Sequence, residues 1–129
     1  MDINWLAVLA AAASSFVLGG IWYSALFARQ WQSAAGLSDA AIKNGNPGLI
    51  FGGSFMLALI ASASFAVFLG NEIDAATGAL YGATAGLCWV AASFGINYLF
   101  ERKNLALFLI NGGYHTLQFT LIGLILGAL

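Results

Sequence analysis

The sequence predicts an all-α integral membrane protein, with four transmembrane helices in a compact bundle and a single domain over residues 1–129. Three observations predict it. Of the 129 residues, 61% are apolar and only 7% are charged, where a soluble domain carries about half and about a quarter. The charged residues are Asp2, Arg29, Asp39, Lys43, Glu72, Asp74 and the run Glu101-Arg102-Lys103. They leave four charge-free stretches, 3–28, 44–71, 75–100 and 104–129, of 26, 28, 26 and 26 residues. A helix crosses a bilayer core about 30 Å thick with about 20 residues, so each stretch spans once and none spans twice. The stretches run continuously apolar, whereas barrel strands alternate over about 10 positions, so helices are expected.

Other classes are excluded by the same composition. A disordered chain needs low hydrophobicity. Cys88 is alone, so there is no disulfide framework. A net charge of −1 with four Lys and Arg does not supply a nucleic-acid surface.

The first span is read as 4–27. Its acidic start and long apolar run suit a retained helix rather than a cleaved signal peptide, which has a basic start and an apolar core of about 7–15 residues. The second span, 49–69, has a readable start. Asn46 can cap it, and Pro47 sits where a missing N–H costs nothing. The loop before it, 28–48, is the only long one. Within it, Ser38-Asp39-Ala40-Ala41 followed by Gly45 reads as capped helical turns, and Trp31 and Leu37 can lay the loop on the membrane surface. The third and fourth spans, 75–100 and 105–129, follow through short loops, so spans two, three and four form two consecutive hairpins. Arg29, Lys43, Arg102 and Lys103 all fall in the loops after spans one and three, and the opposite side has only Asp2, Glu72 and Asp74. The positive-inside rule then places loop 28–48 in the cytoplasm and both termini outside. Trp5 at one end, and Trp22, Tyr23 and Trp31 at the other, fit aromatic anchoring.

Small residues mark packing faces. Gly78, Gly82 and Gly86 stack at four-residue spacing on the third span, and the stripe continues through Val90, Ser93 and Asn97. The fourth span has Gly112, Thr116, Thr120, Gly123 and Gly127, and the first has Ala11, Ser15 and Gly19. These faces pack helices within one bundle, or the Gly78-Gly82-Gly86 face joins protomers. Three such faces exceed what four helices need, so a homo-oligomer is expected. Gly19-Gly20 and Gly112-Gly113 are kinks or close-packing sites.

The fourth span carries the most informative chemistry. Asn111, His115 and Gln118 share one face. At 1.5 Å per residue they lie about 10, 16 and 21 Å from the cytoplasmic end, His115 near the midplane. Ser93 matches the depth of Asn111. Ser15, Ser62, Cys88 and Trp89 match His115, and Ser14, Ser64 and Thr84 match Gln118. No charged partner lies at these depths, so His115 is expected to be neutral. The stripe is either structural glue between helices or a binding or permeation site. A binding or permeation role requires an accessible cavity reaching His115. One His and one Cys cannot complete a metal site of three or four ligands, so no metal and no cofactor are expected. Cys88 has no cation at its depth to make a thiolate, so no catalytic residue is assigned and the chain is not expected to be an enzyme. Glu101-Arg102-Lys103 reads as a solvated turn that sets topology. Alternatively, Arg102 and Lys103 with Arg29 hold an anionic lipid head group, and Glu101 pairs with one of these cations.

The residues also carry a resemblance. Asn4-Trp5, Gly19-Gly20-Ile21-Trp22-Tyr23-Ser24 and Trp31 lie in the first part of the chain. Phe100-Glu101-Arg102, Ile110-Asn111-Gly112-Gly113-Tyr114-His115 and Gly123-Leu124-Ile125-Leu126 lie in the second. This pattern resembles the domain-of-unknown-function 1761 family of small bacterial membrane proteins. The family usually has Pro after Trp-Tyr-Ser, where this chain has Ala25. The resemblance implies a four-span protein of the bacterial inner membrane and brings no established activity.

The leading functional expectation is a non-enzymatic homo-oligomer with an internal polar site at Asn111, His115 and Gln118, neighboured by Ser93 and Cys88. The second is an accessory or structural subunit of a larger membrane complex. The third is a proton-coupled exporter, for which only His115 could serve, since the first span has no carboxylate between Asp2 and Arg29.

Overall fold

The computed structural model describes residues 2–129. They form α1 (Trp5–Leu26), α2 (Ala28–Ala35), α3 (Asp39–Lys43), α4 (Pro47–Leu69), α5 (Ala75–Glu101) and α6 (Leu105–Ala128), with no strand among the described residues. Helices α1, α4, α5 and α6 are long and apolar enough to cross a membrane, which makes the chain a multi-pass membrane protein. Their ends lie within three residues of the limits set by the charge-free stretches.

Each long helix starts on a side-chain cap. Asn4 accepts from the Ala7 N–H at 3.1 Å, Asn46 from Leu49 at 3.2 Å, Asp74 from Thr77 at 2.7 Å and Asn104 from Leu107 at 3.0 Å. These bonds satisfy N–H groups that the helix itself leaves free, at about 1 kcal/mol per cap. Hydrogen bonding to Thr77, side chain first and backbone second, holds the Asp74 carboxyl below its usual range. A lowered folded-state pKa stabilises above the unfolded value and is lost as pH falls through the folded one. Asp74→Asn is therefore expected to keep the cap and flatten the loss of thermal stability below about pH 4, read by unfolding in detergent.

Loop 28–48 is more helical than its sequence suggests. Its first half is α2, ended by Gly36 at φ 73°. Its second half is α3, capped by Ser38 through the Ala41 N–H at 3.1 Å.

The closest seam joins antiparallel α5 and α6. Gly78 lies against the Gly123 backbone, Gly82 against Phe119 and Thr120, Gly86 against His115 and Thr116, and Gly127 against Asp74. A Cβ at any of these glycines would meet backbone of the facing helix. The Gly78-Gly82-Gly86 face is thus occupied inside the chain, which corrects the alternative that it joins protomers. Close approach of two helices needs small residues at the crossing. The line continues with Ala91 against Gly112 and Gly95 against the Phe108 ring. From Gly82 its steps are four, five and four residues. The five-residue step falls in Ala85–Ala91, where the helix widens to π-type hydrogen bonding and absorbs one extra residue.

Helix α1 packs on α6 and on α4 through Ala7, Val8, Ala11, Ala12 and Ser15. Ala11, Phe65, Ala85 and Ile122 form the core in the half nearer Asp2 and Asp74, here the acidic end. Helix α4 forms no packed seam with α5. Phe68 meets Trp89 edge-on at 6.1 Å. Toward the opposite, basic end, α4 has no buried residue before Ala58 and α5 has none in Ala92–Glu101. The bundle therefore has three packed seams and one open one.

Candidate functional site

Helix α6 leaves the basic end between α1 and α5. The Asn111 side chain ties all three together. Its Oδ1 accepts from the Tyr23 hydroxyl at 2.6 Å, and its Nδ2 donates to the Tyr98 hydroxyl at 2.8 Å. One residue along, the Trp22 indole N–H donates to the Ile110 carbonyl at 2.8 Å. Consecutive Trp22 and Tyr23 both reach α6 because α1 widens to π-type bonding over Ile21–Leu26. The Tyr114 hydroxyl donates back to the Ser15 carbonyl at 3.0 Å. Tyr23 packs against Tyr114 and, edge-on, against Trp31 of α2. Gly113 makes room for the Trp22 ring and Gly19 for Tyr114.

Toward the midplane, His115 Nδ1 lies 2.7 Å from Gln118 Oε1. The ring stacks on Phe94 of α5 at 4.9 Å and 11°, and Tyr114 meets it edge-on at 4.9 Å. A carbonyl oxygen only accepts, so Nδ1 carries the proton and Nε2 of the neutral ring presents a lone pair. Nε2 has no hydrogen bond among the described residues. Gln118 is buried, while Asn111 and His115 are half-buried. In α4, the Ser62 hydroxyl is buried and unpartnered.

Residues 6–127 match the model of a family described as protein of unknown function (DUF1761). The chain belongs to that family. Comparison with curated proteins and with solved structures gives no match. The segments by which the chain resembles DUF1761, around Trp22-Tyr23 and around Asn111 to His115, are distant in sequence and meet in this one layer.

Not every residue expected at the site of this DUF1761 chain is there. Ser93 and Cys88 match the stripe in depth but are exposed, and Ser93 donates to its own Trp89 carbonyl at 2.6 Å. The glycine line turns α5 so that these residues face away from α6. The partners of Asn111 are instead Tyr23 and Tyr98, whose hydroxyls stand several ångströms from their backbone and so escape depth matching. Arg29, Arg102 and Lys103 are exposed at the basic end, and no ion pair joins Glu101 to any of them among the described residues. This corrects the expected pairing of Glu101. Arg102 instead ends α5 in the left-handed region, at φ 58°. No group of three metal-ligating side chains occurs among the described residues.

Two open hollows mark the surface. One of about 360 Å³ lies behind α6, lined by Trp22, Leu87, Ala91, Gly113 and Thr116. The other, about 570 Å³, lies at the acidic end by Asn71, Glu72, Thr77 and Tyr81. Neither is lined by Asn111, His115 or Gln118, so neither is the expected cavity reaching His115.

Proposed function

We propose that the chain is a non-enzymatic bacterial inner-membrane protein that binds a small neutral ligand at His115, approached sideways between α4 and α5. The observation that carries this is the imidazole itself. Gln118 engages Nδ1, Phe94 and Tyr114 hold the ring, and Nε2 is left as an acceptor without a donor. Polar groups at membrane depth are costly and mark binding sites or pathways. The ligand class follows: it brings an O–H or N–H donor, and it is uncharged because the spans offer no counter-charge. With Arg29, Lys43, Arg102 and Lys103 at one end, the site opens in the cytoplasmic half and both termini face outside.

Binding is favoured over permeation by the acidic half. There the α5–α6 glycine seam is closed and the core of Ala11, Phe65, Ala85 and Ile122 is apolar. The same closure speaks against a proton-coupled exporter. One observation favours an accessory or structural subunit: Asn111 has both ends of its amide occupied and acts as a clamp.

Native mass spectrometry of the gently extracted protein, wild type beside His115→Phe, tests the reading. A small molecule bound to the wild type and lost from the variant is the expected result. Bare wild-type protein overturns it. A second chain in fixed ratio, with no small molecule, supports the subunit reading instead.

A further inference from the structure

The hollow behind α6 owes its space to missing side chains. Gly112, Gly113 and Ala91 contribute almost none, while Trp22 of α1, Leu87 of α5 and Leu109 of α6 surround them. Its residues on α6 run from Phe108 to Leu117. That is about 14 Å along the axis, beginning about 5 Å from the start of α6 at the basic end. Half of a bilayer core is about 15 Å, so the hollow covers nearly the hydrocarbon depth of one leaflet. Leu87, Leu109 and Leu117 are exposed, so it opens toward lipid.

The lining is dry. The Thr116 hydroxyl donates to the Gly112 carbonyl at 2.7 Å, and the Trp22 indole N–H donates to the Ile110 carbonyl at 2.8 Å. Neither side chain has a donor left to offer, and the other lining side chains are apolar. A polar ligand gains nothing here, whereas hydrocarbon gives up nothing.

The chain segments that flank the hollow at the basic end carry cations. Arg102 and Lys103 form the α5–α6 turn, just before Phe108, and Arg29 stands at the start of α2, beyond Trp22. All three are exposed, and none is in an ion pair among the described residues. The basic end as a whole has Arg29, Lys43, Arg102 and Lys103 against Asp39 and Glu101. Arg102 is also the one non-glycine residue with positive φ among the described residues, at 58°. It closes α5 where glycine is the usual residue, because a Cβ is crowded in the left-handed region. Residues held there cluster at functional sites.

We propose that the chain binds one anionic phospholipid behind α6, with an acyl chain in the hollow and the phosphate among Arg102, Lys103 and Arg29. Depth and dryness assign the acyl chain, and charge assigns the head group. A zwitterionic lipid brings the same acyl chain with an added ammonium, which these cations repel. Free phosphate brings the charge without the acyl chain. The site is separate from the one at His115, which does not line the hollow.

Trp22 reports on the hollow, because bromine on an acyl chain quenches tryptophan fluorescence on contact. With Trp5→Phe, Trp31→Phe and Trp89→Phe, Trp22 is the single tryptophan. The full chain is placed in phosphatidylcholine vesicles holding a minor fraction of brominated phosphatidylglycerol or of brominated phosphatidylcholine. Phosphatidylglycerol is expected to quench Trp22 with a preference of about fivefold or more, since one cation near an anionic head group is worth about fivefold. Unbrominated phosphatidylglycerol is expected to relieve the quenching, and inorganic phosphate is not. A tryptophan-free chain with Phe51→Trp is the control. That position is exposed on α4, four residues from its basic end as Trp22 is on α1, and both lipids are expected to quench it alike. Arg102→Gly is expected to lower the preference at Trp22 about fivefold while raising the unfolding midpoint in lipid-free detergent, because glycine suits the left-handed φ. A merely damaged fold would lower both. No quenching of Trp22, equal quenching by the two lipids, the same preference at residue 51, full relief by inorganic phosphate, or an unchanged preference in Arg102→Gly overturns the proposal.

Discussion

Gly82→Ala is expected to destabilise the folded chain by about 1–3 kcal/mol, the range for forcing atoms into a filled contact. A Cβ at Gly82 meets the carbonyl of Phe119 and the backbone of Thr120. Neither obstacle is a side chain that can rotate aside, so the whole α5–α6 seam has to open. That movement also strains the contacts at Gly78 and Gly86. Gly52→Ala is the control. Its Cβ meets nothing within 4 Å, and alanine favours a helix over glycine by up to about 1 kcal/mol. Unfolding in detergent should therefore show a lower midpoint for Gly82→Ala and an unchanged or higher one for Gly52→Ala. Equal behaviour of the two would mean that the glycine seam is not a tight contact.

The second large effect is expected from Asn111→Leu. The variant keeps the volume and removes the acceptor of Tyr23 and the donor to Tyr98. Interhelical hydrogen bonds in membranes average about 0.6 kcal/mol and reach about 1.7. Two of them, with two tyrosine hydroxyls left unpaired, should cost about 1–3 kcal/mol by the same scale. Tyr23→Phe and Tyr98→Phe should each cost part of this. In the background lacking both hydroxyls, Asn111→Leu should cost little, because nothing remains for the amide to bind. Such non-additivity is what a mutant cycle measures. Full additivity would show that Asn111 acts separately from the tyrosines.

Charge placement made the long helices legible in the sequence. Nine charged residues leave apolar runs of only one crossing length, and Asn46-Pro47 marks a start that needs no tertiary information. The stacking of Gly78, Gly82 and Gly86 was equally visible, but not its partner. A small face reads the same whether α6 or a second protomer covers it. Rotation about each helix axis was harder still. The π-type widening at Ala85–Ala91 moves the packing line by one residue, from a four-step to a five-step, and so turns Ser93 outward, while Cys88, two residues beyond Gly86, faces away from the seam regardless. Tyr23 reads in the sequence as an interfacial aromatic and Tyr98 carries no signal of its own, because a residue count locates backbones, not hydroxyls. The open seam between α4 and α5 leaves no mark on either helix, since lipid and a neighbouring helix select the same apolar residues.

The site at His115 stands on the proton sitting at Nδ1 and the lone pair at Nε2. The chain has one histidine, so nitrogen NMR of a histidine-labelled sample in detergent reads a single imidazole. At neutral pH, Nδ1 is expected to be protonated and coupled to Gln118, and Nε2 unprotonated. Gln118→Leu should release that preference. A proton on Nε2 in the wild type would make the free position a donor, and the proposed ligand class would be wrong.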